Sequence, residues 1–117
     1  MPDDAAQDMK SRLRNDLRVA MKQDCGDEAK LLRTLIAALD NAEAPPLPGG
    51  SSMIMHHFHD GVAEISRLRL KGVQVQAILM DEVSERERAA NDLAQNGRTD
   101  RAEALRAEVQ LIQRYLA

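Results

Sequence analysis

Apolar residues recur every three or four positions over most of the chain, a pattern that predicts amphipathic helices. Over residues 4–22 the apolar stripe is Met9, Leu13, Leu17, Ala20 and Met21. Asp3, Asp4 and Asp8 lie at the electropositive start of that helix and Lys22 in its last turn, as the macrodipole favours. Gln23-Asp24-Cys25-Gly26 reads as a turn, and Asp27 as the N-cap of a second helix that runs to Glu43. Leu32, Leu35, Ile36, Leu39 and Ala42 form its inward side. Two amphipathic helices separated by so short a turn predict an antiparallel hairpin over residues 4–43.

The pattern breaks at Ala44-Pro45-Pro46-Leu47-Pro48-Gly49-Gly50-Ser51-Ser52, where proline excludes helix and the glycines loosen the backbone. Residues 44–71 are expected to form a long irregular connector, with partial alternation from Glu64 to Leu70 and at most one helical turn. Helical periodicity returns at Gly72 or Val73. A third helix to about Asn96 places Val75, Leu79, Val83, Ala90 and Leu93 inward, and Gly97 suits the residue after its end. Thr99 or Asp100 caps a fourth helix. There Ala102, Leu105, Val109, Ile112 and Leu116 follow spacings of three, four, three and four, a heptad seam that predicts packing on helix 3. The expected fold is therefore all-α: one domain over residues 1–117, with hairpins at 4–43 and 73–116 packed as a small four-helix bundle.

Two stretches resemble the GatB/YqeY family. The first comprises Met9-Lys10-Ser11-Arg12-Leu13, Asp16-Leu17, Ala20-Met21-Lys22, Leu32-Arg33-Thr34-Leu35-Ile36-Ala37-Ala38-Leu39 and Asn41-Ala42-Glu43. The second comprises Ala77-Ile78-Leu79, Glu82-Val83, Arg86, Gly97-Arg98, Asp100, Ala102, Leu105-Arg106-Ala107-Glu108 and Tyr115-Leu116. The order and spacing of these pieces carry the resemblance, which skips the connector. In that family the domain ends the B subunit of the glutamine-dependent amidotransferase that acts on misacylated tRNA. It also occurs as small free-standing proteins and attached to some glutaminyl-tRNA synthetases. The resemblance implies a role near tRNA, in a short form without the second small helical domain of longer members. The amidation chemistry belongs to other domains. Asp40 stands where many members have Lys.

Composition narrows the core. Hydrophobic residues make up 44% of the 117 residues, yet Phe58 and Tyr115 are the only aromatics and there is no Trp. The core must be aliphatic, which suits close helix packing. The net charge is −3, with twelve Arg against four Lys, and Arg favours bidentate contact with phosphate or carboxylate. A mildly acidic total argues against a nonspecific nucleic-acid coat protein, and no DNA partner is expected, but a local basic face remains open. Cys25 is alone, so the chain reads as a reduced cytoplasmic protein without an internal disulfide. Its start has no signal-peptide pattern, and no apolar run nears the ~20 residues that cross a bilayer, so no membrane association is expected.

Lys10, Arg14, Arg18 and Lys22 are spaced by four along helix 1, and with Arg12 they leave only Asp16 opposed over residues 9–22. Such a row is ordinarily a solvated helix face. The alternative is that it follows a phosphate backbone by charge and shape, without base stacking since no aromatic lies among the charges. The resemblance favours RNA, and Arg33, in its helix-2 segment, joins the candidate RNA-binding set of Lys10, Arg14, Arg18, Lys22 and Arg33. His56-His57-Phe58-His59-Asp60 holds three imidazoles at a spacing that matches no zinc pattern, and no metal site or cofactor is expected. Asp24 and Asp27 flank Cys25 and disfavour a thiolate. Ser51 and Ser52 lack an orienting acid, and no phosphate-binding glycine motif is present. Glu82 and Arg86 form an i,i+4 pair expected to stabilise the surface of helix 3. No catalytic set emerges. The leading expectation is a non-catalytic, tRNA-associated accessory module, with tRNA or a protein of the aminoacylation machinery as partner. The alternative is a helical protein–protein module that holds its partner in a helical groove or along the connector, through Met53, Ile54, Met55 and Phe58, with no RNA contact.

Overall fold

A computed structural model of the protein describes residues 4–45 and 68–116. It contains four helices: α1 (Ala5–Lys22), α2 (Gly26–Glu43), α3 (Gly72–Gln95) and α4 (Thr99–Gln113). No strand occurs among the described residues. α1 packs on α2, α3 packs on α4, and α3 touches both helices of the first hairpin, so the expected all-α bundle of two hairpins forms.

Both hairpin turns use one device. After α3, the N–H of Arg98 bonds to the Leu93 carbonyl at 2.8 Å and that of Gly97 to Ala94 at 3.1 Å. Gly97 holds φ +76 between them, a Schellman closure that costs glycine nothing. After α1, the N–H of Cys25 reaches the Ala20 carbonyl at 2.8 Å and that of Asp24 reaches Met21 at 3.2 Å. Here the left-handed position falls to Asp24, at φ 57, and not to Gly26. Aspartate visits that region more readily than most residues because its short polar side chain can hydrogen-bond locally. Gly26 becomes the first residue of α2, and Cys25 takes the N-cap position expected for Asp27. At the far start, Asp4 caps α1 by accepting from the N–H of Gln7 at 3.1 Å. The start of α3 is closed by the Gln74 side chain, which accepts the Lys71 N–H at 2.7 Å.

Leu13, Leu32, Leu35, Leu39, Leu79 and Ile112 are among the fully buried side chains of an aliphatic core. At roughly 1.5–3 kcal/mol for each such side chain, they supply the main driving force. The inner stripe of α1 differs from expectation. On α1 the inward positions are Ala6, Lys10, Leu13, Leu17 and Ala20, spaced by four, three, four and three. Met21, expected inside, lies ~100° round the helix from Ala20 and is 55% exposed. On α4 the predicted seam holds, with Ala102, Val109 and Ile112 buried and Leu105 half-buried. The helix ends at Gln113, before Leu116, and the turn that follows buries Tyr115 against the core.

Of the expected connector, residues 46–67 lie outside the described set, the three histidines among them. At its described end the N–H of Leu68 bonds to the Glu43 carbonyl at 2.8 Å, and Leu70 is buried.

Candidate nucleic-acid interface

The five candidate residues divide between two environments. Lys10 leaves the row altogether. It is 1% exposed, and its ammonium donates to Asp40 at 2.8 Å and to Glu43, which is also 1% exposed. Burial disfavours the ammonium, but hydrogen bonds to both carboxylates and their charges outweigh it and hold the Lys10 pKa above its ordinary value. An enclosed lysine that is 1% exposed cannot reach a phosphate in solution. Asp40 supplies part of this enclosure.

Arg14, Arg18, Lys22 and Arg33 are exposed. Arg14, Arg18 and Met21 share one stripe of α1, at positions i, i+4 and i+7. Arg33 reaches across from α2, its Nη2 3.6 Å from the Met21 sulfur. The arginines of both helices thereby converge on the outer side of the first hairpin. Lys30, one turn before Arg33, is exposed as well and was not anticipated. Arg18 donates to the side chain of Asn15. No carboxylate pairs with Arg14, Arg18, Lys22, Lys30 or Arg33 among the described residues. These cations are solvated and unneutralised, the condition under which binding a polyanion releases counterions.

Arg12 has another task. Its guanidinium lies over the Tyr115 ring at 4.6 Å from the centroid and donates to the Arg114 carbonyl at 3.2 Å. The Tyr115 hydroxyl donates to Asp16. Burial, then the hydrogen bond to Asp16 and its charge, push the phenol well above its ordinary value. The one acid within the cationic stretch is thus occupied in holding the last turn against α1.

On the second hairpin the expected Glu82–Arg86 pair forms at 2.8 Å, and Arg86 Nε also donates to Glu108 of α4 at 2.8 Å. Burial opposes the charge on Arg86, and the two carboxylates reverse the balance and raise its pKa. The node ties α3 to α4 and offers nothing to a ligand. Cys25 is exposed, with its thiol 3.7 Å from the Gln23 carbonyl and no base beside it. No group of three His, Cys, Asp or Glu residues able to hold a metal occurs among the described residues. No helix of the described residues is long and apolar enough to cross a membrane.

Comparison with protein-family models, with curated proteins and with solved structures yields no match to this chain.

Proposed function

We propose that this protein is a non-catalytic, cytoplasmic accessory module that associates with tRNA through the outer side of its first hairpin. Arg14, Arg18, Lys22 and Arg33 make the contact. The observation that carries this reading is the sorting of charge on α1 and α2: Lys10 is withdrawn into an ion cluster, while the other four cations stand exposed and unpaired on one side. The resemblance of both hairpins to the GatB/YqeY family supplies the biological setting, tRNA-dependent amidation or aminoacylation, with another protein of that machinery performing the chemistry. Binding is by charge and shape, because no aromatic ring lies among the four cations to stack on a base.

The test is filter binding or mobility shift with unfractionated tRNA. The double variant Arg14→Glu/Arg18→Glu, both substitutions on exposed helix positions, is expected to lose binding while keeping its helical content. Retained affinity in a folded double variant would refute the reading.

A further inference from the structure

The two hairpins do not close on one another everywhere. Between the start of α2 and the middle of α4 lies a hollow of about 360 Å³ bordered by Asp27, Glu28, Leu31, Ala104, Ala107 and Leu111, with Glu108 at its edge. A second hollow, sharing Glu28 and Leu111, continues it toward Tyr115 and Val19. Together they form a furrow that runs beside α4. Its apolar lining is the almost fully buried Leu31, the half-buried Leu111, and Ala104 and Ala107, one turn apart on the exposed side of α4. Small side chains at that spacing let a third helix axis approach to ordinary packing distance.

The charge of the furrow is one-sided. Its lining carboxylates are Asp16, Asp27, Glu28 and Glu108 against the lining cation Arg114, with Arg12 lying over the Tyr115 ring at its far end. Asp16 is taken by Tyr115 and Glu108 by Arg86. Asp27 and Glu28 form no ion pair with any described residue. An acidic rim over an apolar floor repels phosphate, so the furrow does not extend the RNA face. It fits the complementary arrangement, an apolar stripe flanked by basic residues. An extended strand is a poor occupant, because no sheet edge is present among the described residues to pair its backbone.

We infer that the furrow between α2 and α4 docks an amphipathic helix with basic flanks, contributed by a protein partner. Its apolar stripe packs on Leu31, Ala104, Ala107 and Leu111, and its cations meet Asp27 and Glu28. This interface is separate from the proposed RNA face and stands or falls without it.

The probe is a labelled Leu/Lys peptide of about five turns, roughly 18 residues, with Leu at helical spacings of three and four. One control scrambles the same composition, and another replaces every Lys with Glu. Fluorescence anisotropy is expected to show binding of the patterned Lys peptide alone. Ala104→Lys/Ala107→Lys fills and repels the trough, and Asp27→Lys/Glu28→Lys reverses the rim. Each should weaken binding by about tenfold or more. Asp27, Ala104 and Ala107 are exposed and Glu28 is half-buried, and unchanged circular dichroism and Tm confirm that the variants fold. Arg14→Glu/Arg18→Glu should bind the peptide no more weakly than the wild type, which separates this interface from the RNA face. Equal affinity for the scrambled peptide, equal affinity for the Glu peptide, or full affinity in both furrow variants would overturn the proposal. So would competition by tRNA that survives in Arg14→Glu/Arg18→Glu, or self-association of the protein that the furrow variants abolish.

Discussion

The first hairpin holds two cationic regions drawn from a single periodic row, and they have opposite fates. Lys10 falls on the inner stripe of α1, where α2 presents Asp40 and Glu43 at the same level, and it is sealed at 1% exposure. Arg14, Arg18 and Lys22 continue the row at the same interval, but helical drift carries them to the outer side, where Arg33 joins them. A spacing of four therefore does not keep charges on one functional face. The neighbouring helix decides, by offering or withholding a carboxylate. The Arg86 node shows an intermediate case: one cation and two acids again, with side-chain exposures of 14%, 19% and 38% in place of 1–2% at the buried Lys10–Glu43 pair.

The contrast is sharpest where burial is greatest. Lys10→Met should cost about 3 kcal/mol or more of unfolding free energy, since removing one member of a buried ion cluster leaves charge enclosed. Adding Glu43→Leu should recover much of that loss, and urea denaturation of the two variants checks both. Arg86→Met should cost about 1–2 kcal/mol, between the buried and surface limits. Tyr115→Phe should cost about 1 kcal/mol through loss of its hydrogen bond to Asp16.

Lys10 and Tyr115 also set an alkaline limit. Both have folded pKa values raised above their ordinary 10.5 and 10.0. The stability each contributes is complete below those values and is lost as pH rises beyond them, because the unfolded chain releases its protons first. Wild type should lose stability steeply above about pH 10, and Tyr115→Phe should lose it less steeply over the same range. The smallest effect belongs to the outer face. Arg14→Glu/Arg18→Glu should change unfolding free energy by no more than about 0.5 kcal/mol per site, despite abolishing the proposed RNA contact.

Much of this was legible in the sequence. Hairpin boundaries, the role of Gly97 and the seam of α4 follow from periodicity and turn chemistry. The turn over residues 23–26 was legible, but not which residue would take its left-handed position, because Asp24 carries no signal as strong as a glycine's. The Lys10–Glu43 corner was missed because lysine and glutamate are usually solvated, so Lys10 was read as one of an outward-facing row. The signal was present all the same. Ala6, Lys10, Leu13, Leu17 and Ala20 keep the four-three-four-three spacing of a buried stripe. Glu43 follows Leu32, Leu35 and Leu39 on the inner side of α2. Two opposite charges, each at a core position of adjacent helices, are the mark of an internal ion pair. The furrow was not legible, because it depends on how one hairpin tilts on the other, which no local pattern encodes.

The central claim is that the outer cations of the first hairpin serve RNA and the inner one serves the fold. The salt dependence of tRNA affinity tests it most directly. Contacts by Arg14, Arg18, Lys22 and Arg33 predict that log K falls against log salt with a slope of about −3. Lys10→Met/Glu43→Leu should retain that slope, and Arg14→Glu/Arg18→Glu should show no measurable affinity. A slope near zero in the wild type, or one that falls by a full unit when Lys10 is replaced in a folded protein, would contradict the account.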